Sequence, residues 1–192
     1  MQAFAIDRYK GDITRRDVPD PTSGPNDVVV TIVATSVNPI DLKLRDGEFK
    51  AILPKKMPLV LGGDLAGVVL AVGANVRRFK VGDAVYAHPD SERIGTFAKR
   101  IAIAEADLAL KPASLDMAHA AALPLVSLTA WQVLVERAQV KPGHKVLIHA
   151  GSGGVGTIAI QLAKHLGATV AATTSTANID LVRSLGADVV ID

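Results

Sequence analysis

The sequence predicts an α/β plus β chain: a β-rich first part, then the opening of a parallel α/β sheet. Three observations carry this expectation. A strand, a glycine-rich turn and a helix follow one another from Lys145 to Gly167. Two more short apolar strands follow at 168–174 and 187–192, with a helix between them. Before residue 112, short β-like runs alternate with Gly, Pro, Asp and Asn, the pattern of a barrel or sandwich.

The glycine segment is the most specific of the three. Lys145–His149 is a β-branched apolar run of strand length. Ile158, Leu162 and Leu166 repeat at helical spacing, and Gly167 suits a helix C-terminus. Between them lie Gly151, Ser152, Gly153, Gly154, Val155 and Gly156. Four glycines remove side chains where a backbone must approach something closely. The helix N-terminus that follows offers unpaired N–H groups and partial positive charge, so a pyrophosphate is the expected occupant. Ile179, Leu181, Val182 and Leu185 predict a short helix ending at Gly186. The distance from the glycine turn to the end of the second strand, roughly 20 residues, is that of a dinucleotide-binding βαβ unit.

The tip of the second strand bears on which dinucleotide. An Asp or Glu there would bind a ribose 2′-hydroxyl. Here the tip reads Thr173-Thr174-Ser175-Thr176, and the next acid is Asp180. Hydroxyls can donate to a 2′-phosphate that a carboxylate would repel, so NADP is expected over NAD. No Lys or Arg lies in the tip. A dinucleotide fold has two mononucleotide halves, and only three strands of the first are present. The chain is therefore expected to be the N-terminal part of a longer protein, or a truncated product that binds a dinucleotide or forms oligomers without catalysis.

Composition narrows the classes. The chain has 192 residues, is 49% hydrophobic, and carries a net charge of +2. Its basic residues are scattered beyond Arg15-Arg16 and Lys55-Lys56, so neither nucleic acid nor a membrane surface is an expected partner. There is no cysteine, which excludes disulfides, thiolate metal sites and a thiol nucleophile. The N-terminus lacks the apolar core of a signal peptide, and a cytoplasmic location is expected.

In the first part, strands are expected within Ala3–Ile6, Asp27–Val37, Leu65–Val72, Ala84–Ala87 and Phe97–Ile103. The glycines of Leu61-Gly62-Gly63-Asp64-Leu65-Ala66-Gly67 suggest bulges or sharp bends. Leu115–Val140 reads as helical, interrupted by Pro124, and Lys141-Pro142-Gly143 as a turn into the glycine-motif strand.

Several segments in this order resemble the zinc-free quinone oxidoreductase and zeta-crystallin branch of the medium-chain dehydrogenases/reductases. They are SVNPIDLKLRDG (36–47), LPKKMPLVLGGDLAGVVLAVGANVRRFKVGDAVYA (53–87), GTFAKRIAIAEADLALKP (95–112), AALPLVSLTAWQVL (121–134) and the glycine segment. The look is nearest to NADPH-dependent alkenal/enone reductases. The resemblance implies a GroES-like β-barrel catalytic domain at 1–125 and the start of a Rossmann NADP-binding domain at 126–192. It implies hydride transfer from NADPH to quinones or α,β-unsaturated carbonyls. A homodimer is expected.

The resemblance also implies site residues. Asn38, Asp41 and Lys43 of NPIDLK are the catalytic candidates, with Lys43 donating to a substrate oxygen as charge develops on it. Thr129 of SLTAW matches a position that contacts the nicotinamide. Thr174, Ser175 and Asn178 would face the 2′-phosphate, though the subgroup usually has Lys at position 178. Zinc-dependent relatives use a Cys in the region of Asn38 and a His-Glu pair near Gly62-Gly63-Asp64. Catalytic zinc needs three protein ligands, so no metal is expected. His88 with Asp90 forms at most a weak pair in a surface turn. Trp131 and His149 are expected to pack inside.

Overall fold

The computed structural model describes residues 1–192 as two compact units, Met1–Pro124 and Leu125–Asp192. In the first unit, β1 (Gln2–Ile6) pairs antiparallel with both β2 (Thr14–Asp17) and the short β4 (Leu59–Val60). A second, five-stranded antiparallel sheet has the order β7 (Arg100–Ala104), β3 (Asp27–Ala34), β5 (Leu65–Val72), β6 (Ala84–Ala87), β8 (Leu108–Leu110). Helices α1 (Pro39–Asp46) and α2 (Met117–Ala121) complete the unit.

The inward residues of the larger sheet alternate as a half-buried strand requires. Val28, Val30, Leu65, Val69, Val85 and Ile103 form its core. Gly67 is obligatory: a Cβ there would lie 2.2 Å from the Thr31 carbonyl oxygen. The β3–β5 ladder shifts register between Val29 and Val30 and again between Ile32 and Ala34. Those bulges bend the sheet. The two sheets meet along residues 97–99, where Ala3 bridges Ala98, Phe4 N–H donates to Phe97 O and Lys99 N–H donates to Gln2 O, but strand pairing does not close them into one continuous barrel. The predicted barrel domain is thus an open pair of sheets. β3 ends at Ala34, short of the expected Val37, because the chain then turns into α1 at Asn38.

The second unit is the predicted parallel sheet, ordered β11 (Val189–Ile191), β10 (Thr169–Thr173), β9 (Lys145–Ile148). Helix α4 (Gly154–His165) connects β9 to β10, and α5 (Ile179–Ser184) connects β10 to β11. Ile148, Ile160, Ala163, Val170, Ala172 and Val182 fill the space between sheet and helices. Gly167 and Gly186 follow α4 and α5 with positive φ, as the helix ends require. The expected helical stretch 115–140 divides into α2, α3 (Pro124–Trp131) and a π-helical segment, Gln132–Arg137. Pro124 starts α3 rather than kinking a longer helix.

Candidate functional site

Each unit carries part of the expected site. In the second, the chain leaves β9 through Ala150, which holds a left-handed φ of 53°. The turn is pinned by hydrogen bonds from Gly151 N–H to Thr173 O (2.8 Å) and from Gly153 N–H to Ala150 O (2.9 Å). Gly156 packs hardest against it: an added Cβ would sit 2.3 Å from Ala150 O and 2.8 Å from Gly151 Cα. α4 begins at Gly154 with Gly153 as its N-cap, and no side chain caps it. The N–H groups of Gly154, Val155 and Gly156 therefore have no helical carbonyl ahead of them. A glycine cradle facing uncapped helix N–H groups fits a pyrophosphate.

The hydroxyl tip lies beside this turn. Thr174 Oγ1 is 2.9 Å from Ser152 Oγ, and Asn178 Nδ2 donates to Ser175 Oγ at 3.0 Å. One feature here was missed from sequence. Thr176 Oγ1 donates to the Asp192 carboxylate at 2.6 Å, so a carboxylate from the end of β11 does reach the tip. His149 is exposed at the end of β9, 3.3 Å from Thr173 Oγ1, and is not the packed residue expected. The strand ends one residue earlier, so His149 falls on the turn. Thr129 donates to Leu125 O one helical turn back, at 2.7 Å. Trp131, expected in the core, is 49% exposed at the end of α3.

In the first unit, Asn38 and Asp41 are buried at the start of α1, whereas Lys43 is half exposed with its Nζ 3.9 Å from Glu48. Asp41 accepts the Asn38 backbone N–H at 2.7 Å, closing the helix start. Burial pushes the Asp41 carboxyl up from its ordinary value, and the nearby Asp64 adds to this, while the Asn38 N–H works the other way. The Asn38 side chain turns inward, donating to Asp64 Oδ2 (2.8 Å) and Ser36 Oγ (3.2 Å). Asp64 is fully buried and also receives Ser36 Oγ–H at 2.8 Å on the same oxygen.

The other Asp64 oxygen lies 2.9 Å from His88 Nδ1. The sequence reading set His88 beside Asp90 in a surface turn; its partner is Asp64. Asp90 instead caps a single 3-10 turn by accepting Glu92 N–H. The sheet register explains the pairing. Leu65 stands opposite Ala87 in the β5–β6 ladder, so the next pair across is Asp64 and His88. Beside them lies a cavity of about 250 Å³ lined by Ile40, Asp41, Leu44, Phe49, Leu53 and His88, among others.

No group of three His, Cys, Asp or Glu side chains lies close enough to hold a metal ion. Asp64 and His88 spend the facing oxygen and nitrogen on each other. These residues do not fit a catalytic zinc.

Comparison with known proteins agrees with this architecture. Residues 24–113 match the alcohol dehydrogenase GroES-like domain, and residues 154–192 match the zinc-binding dehydrogenase domain. The whole chain is 43% identical to the NADPH-dependent alkenal/one oxidoreductase of Arabidopsis thaliana chloroplasts, covering 52% of that protein. It is 41% identical to the chloroplast envelope quinone oxidoreductase homolog of the same plant, covering 61% of it. An alcohol dehydrogenase superfamily protein from Novosphingobium aromaticivorans superposes over the whole chain with a TM-score of 0.94 at 44% identity, and 58% of that structure is covered. Escherichia coli quinone oxidoreductase complexed with NADPH superposes with a TM-score of 0.86 at 28% identity, again with 58% covered. The chain thus spans about half to three fifths of the length of these relatives. Both domain types are matched in order and the full length superposes, so the chain carries an alcohol dehydrogenase GroES-like domain followed by part of a zinc-binding dehydrogenase domain.

Proposed function

We propose that this chain is part of an NADPH-dependent reductase of quinones or α,β-unsaturated carbonyls that works without zinc. The observation that carries the reading is the β9–turn–α4 cradle, with hydroxyls ending β10 and the neighbouring Asp192 carboxylate engaged by Thr176, in a chain whose relatives carry alkenal/one and quinone oxidoreductase names. Residues 1–125 serve as the catalytic domain and 126–192 as the start of the cofactor domain.

The Gly151–Gly156 turn, with Ser152 and Val155, takes the pyrophosphate through backbone N–H groups. Thr174, Ser175 and Asn178 take the 2′-phosphate. Bound NADPH supplies a hydride from its nicotinamide ring. Thr129 orients that ring. Asn38 and Asp41 hold the start of α1 in place, and Lys43 offers positive charge to oxygen as negative charge develops on it. The expected homodimer and cytoplasmic location belong to the same proposal; the names of relatives include chloroplast proteins.

Fluorescence titration tests the cofactor assignment, with NADPH expected to bind more tightly than NADH. Equal affinities would remove the preference, and no binding would remove the site. In a version extended to the length of its relatives, enone reduction is expected to survive prolonged chelation. Lys43→Ala is expected to lower kcat by about 10- to 100-fold with NADPH affinity unchanged.

A further inference from the structure

The nucleotide-facing residues leave unused the most unusual side-chain cluster of the first unit. Asp64 is fully buried, and both its oxygens are engaged: one by Ser36 and Asn38, the other by His88. A buried carboxylate is acceptor-only when ionised, so the His88 nitrogen facing it, Nδ1, carries a hydrogen. The opposite nitrogen, Nε2, makes no hydrogen bond within the chain and is not sealed from solvent. His88 lines the 250 Å³ cavity, whose remaining wall is mostly apolar: Ile40, Leu44, Phe49, Ile52 and Leu53.

The ring is also held from below. A Cβ at Gly63 would lie 2.7 Å from His88 Cε1 and 3.1 Å from its Nδ1. The imidazole occupies the space that any side chain at 63 would take. Asp64 fixes its rotation, Gly63 admits it, and the cavity receives its free edge.

We propose that His88 is the group that meets the substrate carbonyl in this cavity, with Asp64 as its positioning residue. This deepens the reductase reading and rests on it. The carbonyl oxygen accepts from Nε2–H of the imidazolium, and the apolar body of the ligand lies against Leu44, Phe49 and Leu53. When a hydride reaches the β-carbon of an enone, the electron pair moves to the carbonyl oxygen and an enolate forms. The Nε2 proton passes to that oxygen, giving the enol, which tautomerises to the saturated ketone. His88 is left neutral with Nδ1–H still on Asp64. Its side chain is 23% exposed, so solvent returns the proton. Among the side chains lining the cavity, Asp41 carries a carboxyl and Ser91 a hydroxyl, and His88 alone offers a nitrogen-bound proton. Lys43 does not line it; its charge acts on the developing oxygen from outside the cavity wall, and His88 alone donates the proton.

The test is histidine side-chain NMR on the 192-residue chain, titrated with 2-cyclohexenone and separately with NADPH. Five histidines are present, at 88, 119, 144, 149 and 165. With the enone, the His88 ring signals are expected to shift saturably and the other four to stay still. The nitrogen shifts should report Nδ1–H in the neutral form, and Asp64→Asn should redistribute that tautomer and weaken enone binding about tenfold. A silent His88, or a neutral form carrying Nε2–H, overturns the inference; the wild-type spectra decide this even if the variant fails to fold. NADPH binding with a silent His88 overturns this inference alone. A responsive His88 without NADPH binding overturns the nucleotide reading alone.

Discussion

The candidate sites of the two units are built in opposite ways. All four buried polar side chains outside the hydrophobic core, Asn38, Asp41, Asp64 and Thr96, lie in the first unit. The second buries none; its candidate phosphate surface is backbone, exposed at Gly153 and Gly154 and packed tightly from beneath at Gly151 and Gly156. A buried polar side chain must be satisfied by partners set exactly in place by distant strands. A backbone cradle needs only the local geometry of one turn and one helix. The first unit is therefore sensitive to loss of a partner as well as to gain of an atom, and the second chiefly to gain of an atom.

The largest expected effect is in the cradle. Gly156→Ala would press a methyl to 2.3 Å from Ala150 O. It is expected to cost about 3 kcal/mol of stability in thermal or denaturant unfolding. NADPH affinity should fall on the order of 100-fold. A variant that melts and binds like the parent would remove the contrast. Next comes Asp64→Leu, which strands donors from Ser36, Asn38 and His88 in a buried site. Leaving such groups unpaired should cost about 3 kcal/mol, a drop on the order of 10 °C in Tm. NADPH binding should be untouched.

A smaller effect sharpens the electrostatic side of the comparison. Asp41 titrates above its ordinary value of 3.8, chiefly because it is buried. The stability tied to its neutral form is complete below that value and lost as pH rises through the folded one. Asp41→Asn cannot ionise, yet its amide oxygen can still accept the Asn38 N–H. The Tm difference between variant and parent should move in the variant's favour between pH 4 and pH 7; a flat difference would contradict the burial argument. The smallest effect belongs to the second unit. Asp188 is held below 3.8 mainly by Lys164, with help from the Val170 N–H. Its contribution is present above the ordinary value and fades as pH falls through the lower folded one. Asp188→Asn should lower Tm slightly at pH 7 and not at all in strong acid. Equal losses at both ends would point to packing instead of charge.

The same contrast explains what could be read in advance. Strand, turn and helix from Lys145 to Gly167 are consecutive residues, so their periodicity and glycines announced the cradle. The hydroxyl tip at Thr174–Thr176 was legible for the same reason, but Asp192 was not, because it arrives by the parallel pairing of β11 with β10. Asn38 and Asp41 were found only through a resemblance to a family motif, and nothing local said they would be buried. Asp64 and His88 are 24 residues apart and meet only because Leu65 pairs with Ala87. Counting back along an assumed β5–β6 hairpin would have found them. The barrel expectation failed at closure, since strand spacing reports strands and not whether two sheet edges finally join.

The interlock of Gly63 and His88 has a historical consequence. Neither position can change alone without cost. A side chain at 63 would collide with a ring already present, and losing the ring would leave Asp64 short of a partner over an empty space. Mutational order then matters. A lineage could acquire this histidine only after position 63 had become glycine, and once Asp64 had come to depend on it, a return path through any single substitution would pass through a less stable protein. The pair would behave as a ratchet, holding this surface to one chemical solution while the surrounding apolar wall stayed free to drift with the shape of the molecule it admits.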